Sequence, residues 1–237
     1  MTDGPSRRLR RLDWDELSRR LDADGIAVTG EPVLSRSHCY ELRDRFDDDA
    51  HFRSTIVMER HRYGEGVYRY LRYPLPDAVA ELREVAYESL VPIANRWLEL
   101  LGSPPLPDSL DAMLERCRRA GQSRPTPLIL RYGPGGYNCL HQDRYGEVAF
   151  PLQLAVALSA PGHDFTGGEN VFVEQRPREQ SRAHAVTLPL GHAVIFANDQ
   201  RPVPSARGHR RVTMRHGVST VHSGSRVALG VIFHDAA

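Results

Sequence analysis

The sequence predicts an α+β fold with a mainly β core of the jelly-roll type, buttressed by helices from the first half of the chain. Three observations lead there. Apolar residues recur at helical spacing through much of 1–127. Gly121 to Pro127 forms the clearest boundary in composition. Beyond it, about eight short apolar runs are separated by Gly- and Pro-containing turns, the strand count of a jelly roll. The 237 residues are therefore read as one domain, with a helical and hairpin support region (1–127) and a β core (128–237).

Taken in order, Arg7, Arg8, Arg10 and Arg11 lead into LDWDELSRRLDADG, where Leu12, Leu17 and Leu21 trace a helix and Gly25 stands where it stops. IAVTGEPVL reads as a short strand, and 35–49 as a helix with capping chemistry at Ser35 or Ser37. Ile56–Met58 and Val67–Leu71 flank a Gly64-Glu65-Gly66 turn and form a hairpin. Its Arg60 to Tyr70 run alternates arginine and tyrosine, either a surface for a planar anionic substrate or an amphipathic hairpin with half-buried tyrosines. Long helices are expected at 78–101 and 109–120, and strands at 128–132, 138–141, 152–158, 170–174, 185–189, 192–196, 212–218 and 226–233.

The formal net charge of +1 and the 41% apolar content are those of an ordinary globular chain. No apolar run is long enough to span a bilayer, and no apolar segment follows the basic start as in a signal peptide, so a cytoplasmic location without a membrane partner is expected. Cys39, Cys117 and Cys139 are too far apart and too few for a zinc site or a disulfide framework. Every basic residue other than histidine is arginine, a side chain suited to carboxylate and phosphate recognition.

The chemistry is carried by LILRYGPGGYNCLHQDRY, residues 128–145. Side chains two apart in a strand share a face, so His141 and Asp143 converge and Gln142 points away. With a distant second histidine they make the two-histidine, one-carboxylate facial triad of non-haem Fe(II) oxygenases. The same triplet also fits a surface turn after Gly135-Gly136, since short motifs recur by chance. Downstream, His216 precedes Arg226 by ten residues. An arginine entering a strand among Val227, Leu229 and Val231 is a costly unpaired charge unless it clamps an anionic ligand. His222 competes with His216 for the distal position but lies four residues from Arg226, beside a turn, so His216 is preferred. His192, His209 and His234 are assigned to the surface or to positions beside the site.

Residues 128–235 resemble the 2-oxoglutarate- and Fe(II)-dependent dioxygenases, whose core is a double-stranded β-helix, a cupin-like jelly roll. The resemblance rests on His141-Gln-Asp143, FTGGE (165–169), PLGHAVIF (189–196), and His216 with Arg226. FTGGE and the PLGHAVIF strand are similar to prolyl-hydroxylase-like members, and RYGPGGYNCLHQD to AlkB-like nucleic-acid demethylases. The whole chain resembles a bacterial oxygenase family linked to oxidative demethylation of damaged DNA. This implies Fe(II) held by His141, Asp143 and His216, with Arg226 and Tyr132 contacting 2-oxoglutarate. It also implies O2-dependent hydroxylation of a C–H bond with decarboxylation of 2-oxoglutarate. Leu130 and Ala228 stand where AlkB-like proteins have asparagine.

For a nucleic-acid substrate, Arg201, Arg207, Arg210, Arg211 and Arg215 approach His216 as candidate phosphate contacts. For a prolyl-hydroxylase-like or small-molecule hydroxylase, FTGGE and the neutral charge balance count in favour. A cupin-like metal protein without 2-oxoglutarate is the third class, and Arg226 argues against it. No feature points to a protein partner.

Overall fold

The computed structural model of the protein describes residues 3–143 and 146–237. Arg144 and Tyr145, the end of the motif stretch, lie outside the described residues. Helices α1 (Pro5–Arg10), α2 (Trp14–Asp24), α3 (Arg36–Asp44), α4 (Asp77–Leu100) and α5 (Leu110–Arg119) all fall in the first half. Their ends follow from local chemistry. Side chains of Asp13, Ser35 and Ser109 accept from the backbone N–H groups of Glu16, His38 and Ala112, and α2 stops at Gly25 in the left-handed conformation.

The strands are β1 (Ile26–Val28), β2 (Phe52–Val57), β3 (Gly64–Glu65), β4 (Val67–Leu71), β5 (Leu128–Tyr132), β6 (Tyr137–His141), β7 (Leu152–Ala157), β8 (Phe165–Gly167), β9 (Asn170–Gln175), β10 (Arg182–Val186), β11 (Ala193–Ala197), β12 (Gln200–Ser205), β13 (Gly208–Val218), β14 (Val221–Gly224) and β15 (Arg226–Val231). One antiparallel sheet runs β1-β11-β7-β15-β5-β4-β2, and a second runs β10-β9-β13-β6-β3 with β12 on β13. The sheets touch through Phe172 of β9 and Phe196 of β11, whose rings are 4.9 Å apart. Leu82, Leu90 and Trp97 of α4 share one apolar core with Ile129 and Leu229 of the larger sheet. The mainly β, helix-buttressed architecture expected from the sequence is the one observed.

Several expectations are corrected. Strands β1, β2 and β4, expected in the first half as a short strand and a hairpin, extend the larger sheet, whereas Gly64-Glu65, expected as part of a turn, is strand β3 of the smaller one. The strand expected at 185–189 lies at Arg182–Val186, because Arg182 pairs with Glu174 across from β9. Strands β8, β12 and β14 come from stretches without apolar alternation. In the Arg60 to Tyr70 run, Arg69 turns inward to Phe46 O and Asp49 and covers the Phe52 ring, so the run does not present one continuous surface.

The Arg201 to Arg215 segment, expected as a loop, is a hairpin, β12 on β13, in which Arg207 and Arg215 are exposed while Arg201, Arg210 and Arg211 are bonded within the protein. Arg201 is buried, bonded to the Glu174 carboxylate and to Asp22 O and Ala23 O. Arg210 pairs with Glu179, and Arg211 donates to Leu101 O and Ser103 Oγ. Removing one partner of a buried ion pair leaves the other uncompensated. Arg201→Ala is accordingly expected to lower unfolding free energy by about 3 kcal/mol in urea titrations, with Glu174 left to the half-exposed Arg176.

His234 is not at the surface; it is fully buried in the C-terminal core, near enough to Asp143 to feel its charge. Its Nδ1 accepts from Phe150 N, which requires the neutral ring, and Thr126 and Gln122 bond the adjacent carbonyls. Burial, and then the charge of Arg83, push its pKa down to about 4. A histidine depressed below its unfolded value contributes stability at pH above about 6.5 that is lost as pH falls toward the folded value. Urea unfolding from pH 7 to 4 should show this slope, at most about 1.4 kcal/mol per pH unit, and His234→Gln should flatten it.

Candidate metal centre

Two cross-strand registers build the site. Strands β6 and β13 place His216 directly opposite His141, and β5 and β15 place Arg226 opposite Tyr132. Directly opposed residues of an antiparallel pair share a face. The two imidazoles therefore meet between the sheets, their ring centroids 4.2 Å apart. Next to His216 the β6–β13 ladder is irregular. A Cβ at Gly217 would stand 2.6 Å from Asn138 O, so only glycine allows that approach.

Asp143 lies just past the end of β6, and the bracket that holds it is Asn198. Asn198 Oδ1 accepts from Asp143 N at 3.1 Å, and its amide nitrogen donates to Asp143 O at 2.6 Å. The carboxylate thus reaches both histidines: Oδ2 is 3.2 Å from His216 Nε2, and Oδ1 is 3.5 Å from His141 Nε2. Ligand atoms of His141, Asp143 and His216 all lie within 4.8 Å of one another. Gln142 turns to Asp199 O, as alternation requires. His222 sits exposed on β14, away from this cluster.

The donor set fits a divalent transition metal. His141 Nδ1 is 2.7 Å from Cys139 O; donating there leaves Nε2 with its lone pair toward Asp143. Burial, and then the neighbouring His216, lower the His141 pKa and favour the neutral ligand form. Burial opposes ionisation of Asp143, but the hydrogen bond and charge of His216, with His141 and Gln153, hold its carboxyl well below the usual range. Two imidazoles and one carboxylate are the ligands of the facial triad. Gln153 was not singled out in the sequence. Its amide nitrogen is 2.9 Å from Asp143 Oδ2 and 3.2 Å from His216 Nε2. Its signal was available: it is the polar residue in the apolar run LQLAVAL. Asn198 carried no such signal.

A cavity of about 480 Å³ opens onto the cluster, bordered by Tyr68, Tyr132, Asn170, Phe172 and Arg226. Arg226 is buried; its Nε donates to Gly168 O at 2.7 Å and Nη2 to Asn170 Oδ1 at 2.8 Å. Among the described residues it forms no ion pair, and nearby Glu169 bonds Ser219 instead. Its guanidinium lies 5.4 Å from the Tyr132 ring centroid. The buried Tyr132 hydroxyl has no hydrogen-bond partner of good geometry, and burial pushes its pKa up to about 12. A buried cation without a carboxylate, beside a buried hydroxyl whose nearest side-chain partner is the neutral amide of Asn138, fits a carboxylate ligand.

The layout of two antiparallel sheets around this cluster is that of 2-oxoglutarate–Fe(II) oxygenases. A Pseudomonas putida prolyl-4-hydroxylase superposes with a TM-score of 0.56 at 15% identity, covering 94% of this chain and 99% of that one. A Burkholderia pseudomallei protein of the 2OG-Fe(II) oxygenase family gives 0.54 at 15% identity, covering 94% and 92%. At this identity the likeness speaks for the fold, a double-stranded β-helix. Residues 66–236 match the model of a family described as an oxygenase catalysing oxidative methylation of damaged DNA, and the chain belongs to that family, Oxygenase-NA. Two uncharacterized Mycobacterium tuberculosis proteins, MT2286 and Rv2227, are each 44% identical over 240 residues, covering 99% of this chain and all of theirs. No described helix is long and apolar enough to cross a membrane.

The glycines of FTGGE have a geometric reason. Gly168 has φ of 64°, and a Cβ there would meet Arg226 Cδ at 2.8 Å. Gly168→Ala is expected to lower unfolding free energy by about 1–3 kcal/mol, whereas Gly30→Ala, with nothing within 4 Å of the added Cβ, should leave the urea midpoint nearly unchanged.

Proposed function

We propose that the chain, acting as one unit, is an Fe(II)- and 2-oxoglutarate-dependent dioxygenase that removes methyl groups from alkylated nucleic acid. The observation that carries this reading is the register pairing of His216 with His141, which brings two imidazoles and Asp143 within 4.8 Å of one another. The nucleic-acid part rests on the family match.

His141 through Nε2, Asp143 and His216 would hold the iron. When bound, iron and 2-oxoglutarate supply the oxidising power: O2 gives one oxygen atom to succinate, with loss of CO2, and the other to a substrate C–H bond. The chain's own residues do the rest. Asn198 and Gln153 orient the Asp143 carboxylate, and Cys139 O selects the His141 tautomer. Arg226 and the Tyr132 hydroxyl receive the distal carboxylate of 2-oxoglutarate in a dry pocket, where a guanidinium fork is strongest. Leu128, Leu130 and Ile232 keep the cavity wall apolar. On an N-methyl group, insertion of oxygen gives an N-hydroxymethyl product that breaks its C–N bond to release formaldehyde and the free base.

The test is anaerobic titration of the protein with Fe(II) and 2-oxoglutarate, followed by the weak visible metal-to-ligand charge-transfer band. The band should form, vanish in His216→Ala, persist in His222→Ala, and require roughly 30-fold or more extra 2-oxoglutarate in Arg226→Ala, as expected for a buried charge pair. Iron bound without any band in the wild type would replace this reading with a cupin-like metal protein.

A further inference from the structure

The cavity mouth carries a feature that neither the metal cluster nor the co-substrate pocket uses. Residues 58–61 form a single 3-10 turn, and Arg62 follows with φ of 59°, in the left-handed region unusual for a long side chain. The turn is held rigidly. Tyr63 N donates to Met58 O at 3.1 Å, Cys139 N donates to Tyr63 O at 2.8 Å, and buried Met58 packs with Tyr132, Phe165 and Val221. On this base Tyr63 stacks against His61 with ring centroids 5.3 Å apart, yet remains 50% exposed. Leu140, 44% exposed, and Arg62 border the same opening, and Tyr137, also exposed, stands on the paired strand. Such an apolar patch at the rim of a cavity marks a contact surface.

Charge selects the occupant. Among the described residues, Arg60 and Arg62 form no ion pair and no side-chain hydrogen bond, whereas Arg201 and Arg210 are tied to acids of their own. Two carboxylates lie nearby: Glu59, which accepts from Gly66 N, and Glu65 on β3. This field suits one or two phosphates and not the long phosphate track of a duplex. Inward of the rim, Tyr68 continues the aromatic wall toward the metal cluster, and burial keeps its hydroxyl protonated.

We propose that the Arg60-His61-Arg62-Tyr63 turn, with Leu140, is the docking subsite for single-stranded nucleic acid. An unpaired base stacks on Tyr63, its phosphate lies at Arg62, and the neighbouring nucleotide enters the cavity. This rests on the oxygenase reading above and narrows its substrate to unpaired strands. A base that is already unpaired also avoids the unstacking cost that a duplex imposes.

The test is fluorescence anisotropy of the full-length protein, without added metal, with labelled DNA and RNA single strands of about eight nucleotides and with the corresponding duplexes. The single strands should bind more tightly than the duplexes, and log K should fall with log salt with a slope of about −0.7 to −1.4, the value for one or two phosphates. Tyr63→Ala should weaken binding roughly 5- to 150-fold while Tyr63→Phe retains it. Arg62→Ala should flatten the slope by about 0.7, and Arg119→Ala on α5 should change nothing. Duplex binding as tight as single-strand binding, or Tyr63→Ala indistinguishable from the wild type, would overturn the subsite. A charge-transfer band that forms normally while no strand binds would overturn it and leave the oxygenase chemistry standing; loss of the band itself would remove the reading beneath it.

Discussion

The site depends on register. His141 and His216 lie 75 residues apart, and Tyr132 and Arg226 lie 94 apart, yet each pair is directly opposed across one antiparallel ladder. A one-residue slip in either ladder would move every side chain of the strand to the other face of its sheet. The metal candidates would then point away from the cavity, and Arg226 would leave Tyr132. The irregular pairing beside His216, which Gly217 alone tolerates, is the local adjustment that lets the β13 histidine face inward while the strand continues.

Buried arginines sort by their partners. Arg83 is matched by Asp235, Arg201 by Glu174, and Arg69 by Asp49. Each of these ties distant segments of chain together, and a missing partner would leave an uncompensated charge in a poorly polarisable interior. Arg226 is equally buried, but its bonds go to a carbonyl and a carboxamide, which are dipoles and not charges. Within one protein, the three matched arginines are the control for the fourth. Among the described residues, the buried arginines Arg69, Arg83 and Arg201 come with acids, and buried Arg226, without one, lines the cavity.

Much of this was legible in the chain. Helix ends at Ser35, Gly25 and Ser109 follow from capping chemistry, and β5 has the limits that alternation and the Pro127 boundary set. The cluster residues His141, Asp143, His216 and Arg226 were legible because their chemical types are specific and their spacing is fixed by strands. What stayed hidden depends on contacts between segments far apart. Arg201 sits in a basic run and reads as a surface cation, because nothing near it in sequence announces Glu174. Asn198 brackets Asp143 from 55 residues away, and nothing near either residue in sequence announces the contact. Among the described residues, strands β8 and β14 form a two-stranded sheet of their own, and their conformation comes from this pairing rather than from any pattern in their sequences.

The same small apolar cluster links the two ends of the cavity. Met58, which supports the turn bearing Arg62 and Tyr63, packs with Tyr132, which faces Arg226, and with Phe165 and Val221 of the β8–β14 pair. Gly66, just after the turn, approaches the Tyr132 ring so closely that a Cβ there would stand 2.8 Å from it. Close-packed interiors transmit displacement because they have no slack to absorb it. The rim turn and Tyr132 are therefore packed against each other without slack. The mouth and the Tyr132–Arg226 side of the cavity thus share one apolar core.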